Sequence, residues 1–246
     1  MNAVLADRIA LVTGASRGIG FATALALAKA GAHIVAVART VGGLEELDDA
    51  IRAVGSSATL VPLDLKDRDG LTRLGAAIDE RYRRLDVLVA NAGILGPLSP
   101  LAHIEPNVWD EVMAVNVVAN AQLIRVMDPL LRAAPGARAV FVTSGAASSA
   151  KAYWGPYAVS KAALEILART YAAETATTAV RVNLFNPGAT RTRMRAAAMP
   201  GEDPTSLKTA DQVAEKIVAL CLPGLTETGK LYDYAAGRLL SFRPPT

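Results

Sequence analysis

The chain has 246 residues, 52% hydrophobic and 20% charged, with 26 Lys and Arg set against 23 Asp and Glu for a formal charge of +3. That composition suffices for one large buried core, and basic runs no longer than 81–84 and 191–195 argue against a nucleic-acid partner. The single cysteine, Cys221, excludes an internal disulfide, and with only His33 and His103, far apart, neither a metal site nor a histidine-centred triad is expected. No apolar run approaches the ~20 residues needed to span a bilayer. The opening MNAVLADRIALVTG carries no charged leader with an apolar core. The expectation is a soluble cytoplasmic protein with no membrane partner.

The first strand is expected at 9–13, a near-continuous apolar run of the kind covered on both faces. TGASRGIG (13–20) follows it directly and opens a helix at 18–30, on which Ile19, Ala22, Leu25, Ala26 and Lys29 keep the 3.6-residue period. Gly14, Gly18 and Gly20 let the backbone turn tightly. With Ser16, Arg17 and Ile19 they bring a helix N-terminus to a phosphate. The second strand, 33–38, ends in Val37-Ala38-Arg39. An acid for the ribose hydroxyls of NAD is expected there; Ala38 takes its place and Arg39 follows. Arg39 and Arg17, two guanidiniums without a competing carboxylate, suit a 2′-phosphate. NADP(H) is therefore favoured over NAD(H).

A helix at 43–54, a strand at 58–62, Asp64-Leu65 and a helix at 68–83 come next. The strand at 85–90 runs into Asn91-Ala92-Gly93, and a helix at 106–128 carries Asn116. The strand at 137–143 delivers Ser144. The helix at 153–176 then places Tyr157 and Lys161 four residues apart, on one face. A phenol near its ordinary pKa of about 10 is a poor proton shuttle. An adjacent ammonium favours the phenolate. The strand at 180–185 leads to Pro187-Gly188, with Thr190 and Thr192 beyond, and 188–209 is expected to be an irregular mobile loop of the kind that covers active sites. A helix at 210–221 and a final strand at 231–234 complete the series. The alternation predicts one α/β domain, doubly wound, with a parallel sheet of about seven strands and helices on both faces.

These motifs, in this order, resemble the short-chain dehydrogenase/reductase family over essentially the whole length. TGASRGIG matches TGxxxGxG, and Asn91-Ala92-Gly93 matches NNAG save that Ala90 replaces the first Asn. Asn116, Ser144 and the YxxxK pair match the remaining catalytic members, and Pro187-Gly188 matches the PG before a nicotinamide-binding threonine, here Thr192 with Thr190 nearby. The resemblance implies a Rossmann-type domain across 1–246 and hydride transfer between a nicotinamide and a carbonyl or secondary alcohol. It further implies that Tyr157 is the general acid/base and that Ser144 holds the substrate oxygen. Lys161 would lower the tyrosine pKa and bind the nicotinamide ribose, Asn116 would hold water in a proton relay, and Asp64-Leu65 would contact adenine. A homodimer or homotetramer through the helices starting near 106 and 153 is also implied, with Ala162, Ala163, Leu167 and Ala172 suited to close packing. The competing readings are an NAD(H)-preferring enzyme of the same type and a non-catalytic, redox-sensing dinucleotide binder.

The substrate pocket is expected between 94–99, 145–156 and 188–209, with Leu95, Trp154 and Met194 as its apolar lining, although Trp154 could equally be helix packing. Arg191, Arg193 and Arg195 either meet an anionic substrate or form a solvated face. The tail 239–242 could pack against a neighbour.

Overall fold

A computed structural model describes residues 4–242. Residues 1–3, where the reading for a leader begins, and 243–246 lie outside the described residues. Seven parallel strands form the sheet: β1 (Ile9–Thr13), β2 (His33–Ala38), β3 (Ala58–Pro62), β4 (Val87–Ala90), β5 (Arg138–Val142), β6 (Arg181–Asn186) and β7 (Leu231–Asp233). An eighth, β8 (Arg238–Leu240), returns antiparallel beside β7. The order is β3-β2-β1-β4-β5-β6-β7-β8. β8 is absent from the sequence expectation. It arises because Asp233 accepts from the Ala236 N–H at 2.8 Å and Gly237 takes a φ of 65°, which turns the chain back. Within the subunit Leu239 packs, partly buried, on the core, and Phe242 lies under the Arg169 guanidinium at 4.1 Å.

Strand side chains alternate between two apolar clusters, as period-2 geometry requires. Leu11, Val35, Leu88 and Phe141 point to the face covered by α3 (Arg68–Tyr82), α5 (Ala119–Ala133) and α7 (Gly155–Glu174), the last preceded by the short α6 (Ala146–Ser149). Val12, Ala36, Val89 and Val140 point to the face covered by α1 (Gly18–Lys29), α2 (Val41–Ala53) and α9 (Ala210–Cys221). Burial on both faces is why these strands read as continuous hydrophobic runs rather than alternating ones. Cys221 is buried on α9, and burial pushes its thiol up to about 12. Among the described residues no helix is long and apolar enough to cross a membrane.

The helix expected at 106–128 is interrupted. α4 (Pro106–Met113) passes into a π-helical segment, Ala114–Val118, before α5 begins. The extra residue per turn is a local device often found at functional sites, and Asn116 lies within it. Strand order reverses at β1 and β4, which opens a crevice beyond their C-terminal ends.

Candidate active site

A cavity of about 680 Å³ fills that crevice. The turn after β1 enters it with Gly14 at φ 67° and Gly18 at φ 57°, conformations open to glycine. A Cβ on Gly14 would come within 3.0 Å of the Ala92 Cα, and one on Gly20 within 2.2 Å of the Gly14 carbonyl oxygen. Asn91 locks the turn to β4: its Nδ2 donates to the Thr13 carbonyl at 2.9 Å, while the Thr13 Oγ1 accepts from the Asn91 and Ala92 N–H groups at 3.1 Å each. α1 starts with Arg17 extended, no side-chain cap and no acid in its first turn. Its terminal N–H groups therefore remain available to an anion. This cradle fits a dinucleotide phosphate.

The expected site residues gather around this one cavity. Ser16, Arg17, Gly18 and Ile19 line one end with Arg39, Asp64 and Leu65. Asn91, Ala92 and Gly93 form the middle, Ser144, Tyr157 and Lys161 the other end, and Pro187, Gly188, Thr190 and Thr192 the rim. Gly20 and Asn116 do not line it. Gly20 is buried against Gly14, and Asn116 is fully buried one layer behind. One expectation is corrected: the Arg39 guanidinium is not free of carboxylates, because Asp64 Oδ2 lies 4.0 Å from its Nη1. Both side chains are well exposed, 56% and 39%, so the pair is weak and screened.

At the other end Tyr157 and Lys161 are 7% and 3% exposed. Lys161 Nζ donates to the Val142 carbonyl at 2.9 Å and lies 5.7 Å from the Tyr157 ring centroid. Burial pushes the ammonium down to about 8, partly opposed by the Glu165 carboxylate. Burial also raises the Tyr157 phenol above its ordinary value, with hydrogen bonding to Ser144 pulling the other way. The expected lowering by Lys161 is thus not the dominant effect. Burial of the phenol raises it, only Ser144 opposes that rise, and the Lys161 ammonium faces the Val142 main-chain oxygen instead.

Asn116 is held on every side. Its Oδ1 accepts from the Ile94 N–H at 2.9 Å, its Nδ2 donates to the Ile94 carbonyl and to Ser160 Oγ at 2.9 Å each, and its carbonyl accepts from Asn120 Nδ2 at 2.8 Å. Ser160 in turn donates to the Tyr157 carbonyl at 2.8 Å, so Asn116 braces the tyrosine's own helix turn.

Ile94, Leu95, Trp154 and Met194 all line the cavity. The ambiguity over Trp154 resolves as both roles, since it also meets the Tyr157 ring edge-on at 6.0 Å. Tyr153, at φ 73°, strains the backbone of that wall. The segment 188–209 is more ordered than expected. It contains α8 (Arg193–Ala198), capped by Thr192 Oγ1 accepting from the Arg195 N–H at 3.2 Å. Thr190 bridges to Lys208 at its neck, and Lys208 Nζ donates to the Ala189 carbonyl at 2.6 Å. Arg195 is paired twice with Glu202 at 2.6 Å, and the exposed Arg191 does not line the cavity, which leaves Arg193 as the one of the three on its wall without an ion-pair partner among the described residues.

Sequence reading missed several supports. Asn186 Oδ1 accepts from the Gly145 and Gly188 N–H groups at 3.0 and 3.1 Å, joining the Ser144 turn to the Pro187-Gly188 turn. Thr143 and Glu165 lie behind Lys161. Glu165 carried a legible signal, its place one turn beyond Lys161; Asn186 carried none beyond adjacency to Pro187.

The family model for short chain dehydrogenase matches residues 8–203. The chain is 38% identical over 239 residues to the oxidoreductase YciK of Escherichia coli K12, covering 96% of this chain and 94% of that one. It is 34% identical to mouse dehydrogenase/reductase SDR family member 4, covering 77% and 68%. A short chain dehydrogenase from Shigella flexneri 2a complexed with NADP superposes with a TM-score of 0.92 at 36% identity, covering 96% of this chain and 100% of that one. Another, from E. coli CFT073 complexed with NADPH, gives 0.91 at 37% identity over 95% and 98%. Fold, motif order and sequence agree, and the chain belongs to the short-chain dehydrogenase/reductase family of NAD(P)-dependent oxidoreductases.

Proposed function

We propose that the protein is an NADP(H)-dependent oxidoreductase that interconverts a carbonyl compound and a secondary alcohol, with Tyr157 as general acid and base. The observation that carries this reading is the meeting of Ser144, Tyr157 and Lys161 in the same cavity that the glycine turn enters. NADP(H), when bound, supplies the hydride. The glycine turn and the α1 N-terminus hold its phosphates, Arg17 and Arg39 its 2′-phosphate, Asp64 and Leu65 its adenine side, and Asn91–Gly93 and Pro187–Thr192 its nicotinamide half. The complexes of the Shigella and E. coli neighbours with NADP and NADPH support that choice of dinucleotide.

In reduction, Ser144 donates a hydrogen bond to the substrate carbonyl oxygen and holds it for the phenol. Tyr157 donates its proton to that oxygen as negative charge develops there. A phenol raised by burial stays protonated at neutral pH, as an acid must. Lys161 keeps positive charge beside the phenolate left behind and presents its remaining N–H groups to the ribose hydroxyls. Asn116 fixes the turn that carries Tyr157 and stands beside Lys161 for the return of the proton. In oxidation the same atoms act in reverse. The segment 188–209 covers the substrate, whose body packs on Ile94, Leu95, Trp154 and Met194. The protein works in the cytoplasm as a homodimer or homotetramer.

Tyr157→Phe is the test. The variant retains NADPH binding by calorimetry and loses at least about 10²-fold of the turnover that the parent shows on a panel of carbonyl compounds. Undiminished turnover would refute the assignment.

A further inference from the structure

Helix α7 carries Tyr157, Lys161, Glu165 and Arg169 at intervals of four, so phenol, cation, anion and cation follow one another along a single face. Lys161 is buried and donates to a neutral partner, the Val142 carbonyl, at 2.9 Å. A buried ammonium that meets only neutral acceptors gives up its proton easily. The groups packed around it come from three places. β5 supplies the Val142 carbonyl, and Thr143 just beyond it holds Glu165. The β4 turn and the π segment supply Gly93 and Asn116, neither of them charged. α7 itself supplies Tyr157 and Glu165. Among the described residues Glu165 is the acidic group that acts on this lysine.

Glu165 has neighbours that favour its ionised form. Thr143 Oγ1 donates to its Oε1 at 2.9 Å, and Arg169 stands one turn beyond, with its guanidinium 4.1 Å from the Phe242 ring centroid. Burial holds the Glu165 carboxyl above its ordinary value, and Thr143, Arg169 and Lys161 each oppose that rise without cancelling it.

We propose that Glu165 is a positioning residue, the counter-charge that keeps Lys161 protonated over the working pH range, with Thr143 fixing the carboxylate and Arg169 holding it ionised. The consequence for catalysis rests on the acid–base reading of Tyr157 above; the consequence for Lys161 does not. Above its own midpoint Lys161 loses its charge, and carbonyl reduction falls with it. Without the carboxylate that midpoint moves to lower pH, and the basic limb of the rate profile moves down with it.

Glu165→Gln tests this, because the amide oxygen still accepts from Thr143 while the charge is gone. The intact protein, labelled with ¹³C at lysine Cε and with Lys161 assigned from Lys161→Arg, is titrated by NMR. The Lys161 midpoint falls by about one pH unit in Glu165→Gln and returns most of the way in Glu165→Asp. The basic limb of kcat/KM for carbonyl reduction shifts down by the same amount, with NADPH affinity at pH 6 unchanged. An unshifted Lys161 midpoint in Glu165→Gln, or an equal shift in Glu165→Asp, overturns the proposal. Tyr157→Phe run alongside separates the two ideas. If it keeps turnover the acid–base reading falls, and the NMR midpoint still decides the role of Glu165.

Discussion

The single residues to which the chemistry is assigned by proposal were mostly legible as lining one cavity, because several sit at a fixed offset from a strand end. Ser144 follows β5, Asn91 follows β4 and Gly14 follows β1, so a reader who places the strands has placed the side chains. Charge was less legible. Arg39 is proposed to meet a 2′-phosphate, but the chain also brings Asp64 to 4.0 Å from it, a contact between the ends of two different strands. Arg39→Ala therefore separates the two effects. Calorimetry should find NADPH affinity down by about tenfold or more, as for loss of a charge-assisted hydrogen bond of 1.5–3 kcal/mol. NADH affinity should change by less than threefold. Equal losses on both cofactors would show that Arg39 serves the loop rather than the phosphate.

At the level of elements, the continuous apolar strands announced a sheet covered on both sides, and the alternation of their side chains between two clusters is the physical reason. The π segment around Asn116 and the β7–β8 hairpin were not legible. Each is decided by contacts made after the helix or strand has formed, Ile94 and Ser160 for the first and Asp233 for the second. Helix glycines make the same point. Gly42 in α2 has open space where a Cβ would go, whereas a Cβ on Gly75 in α3 would come within 2.1 Å of Val126 Cγ1 on α5. The same substitution should thus have opposite signs. Gly42→Ala should stabilise by about 0.5–1 kcal/mol through chain entropy. Gly75→Ala should destabilise by about 1–3 kcal/mol as α3 and α5 are forced apart. Urea midpoints measure both, and a shared sign would contradict the close α3–α5 packing.

For the molecule as a whole, the segment 188–209 and the α5–α7 surface matter most. Thr190–Lys208 and Arg195–Glu202 give the segment internal ties that its sequence, with two prolines and weak periodicity, did not advertise. On the other surface, Leu167 and Ala172 pack against the subunit's own core, one of the two roles open to them. Val118, Val159 and Ile166 are instead 39%, 43% and 58% exposed. These three are the apolar groups that a second copy would cover. Ile166→Glu should therefore shift the protein from dimer or tetramer towards monomer in sedimentation at micromolar concentration. A parent protein that sediments only as monomer would remove the oligomer proposal.

The sequence by itself determined the family, the doubly wound parallel sheet, the glycine-rich turn after the first strand and the choice of Ser144, Tyr157 and Lys161 as residues to look for at one site. Those features depend on residue type at short, fixed spacings along the chain. Only the tertiary structure decided that burial raises the Tyr157 phenol, that Asp64 reaches Arg39, that Asn116 is locked behind the cavity and that Glu165 stands behind Lys161. Desolvation, and pairing between residues distant in the chain, exist only once the sheet and its helices have come together.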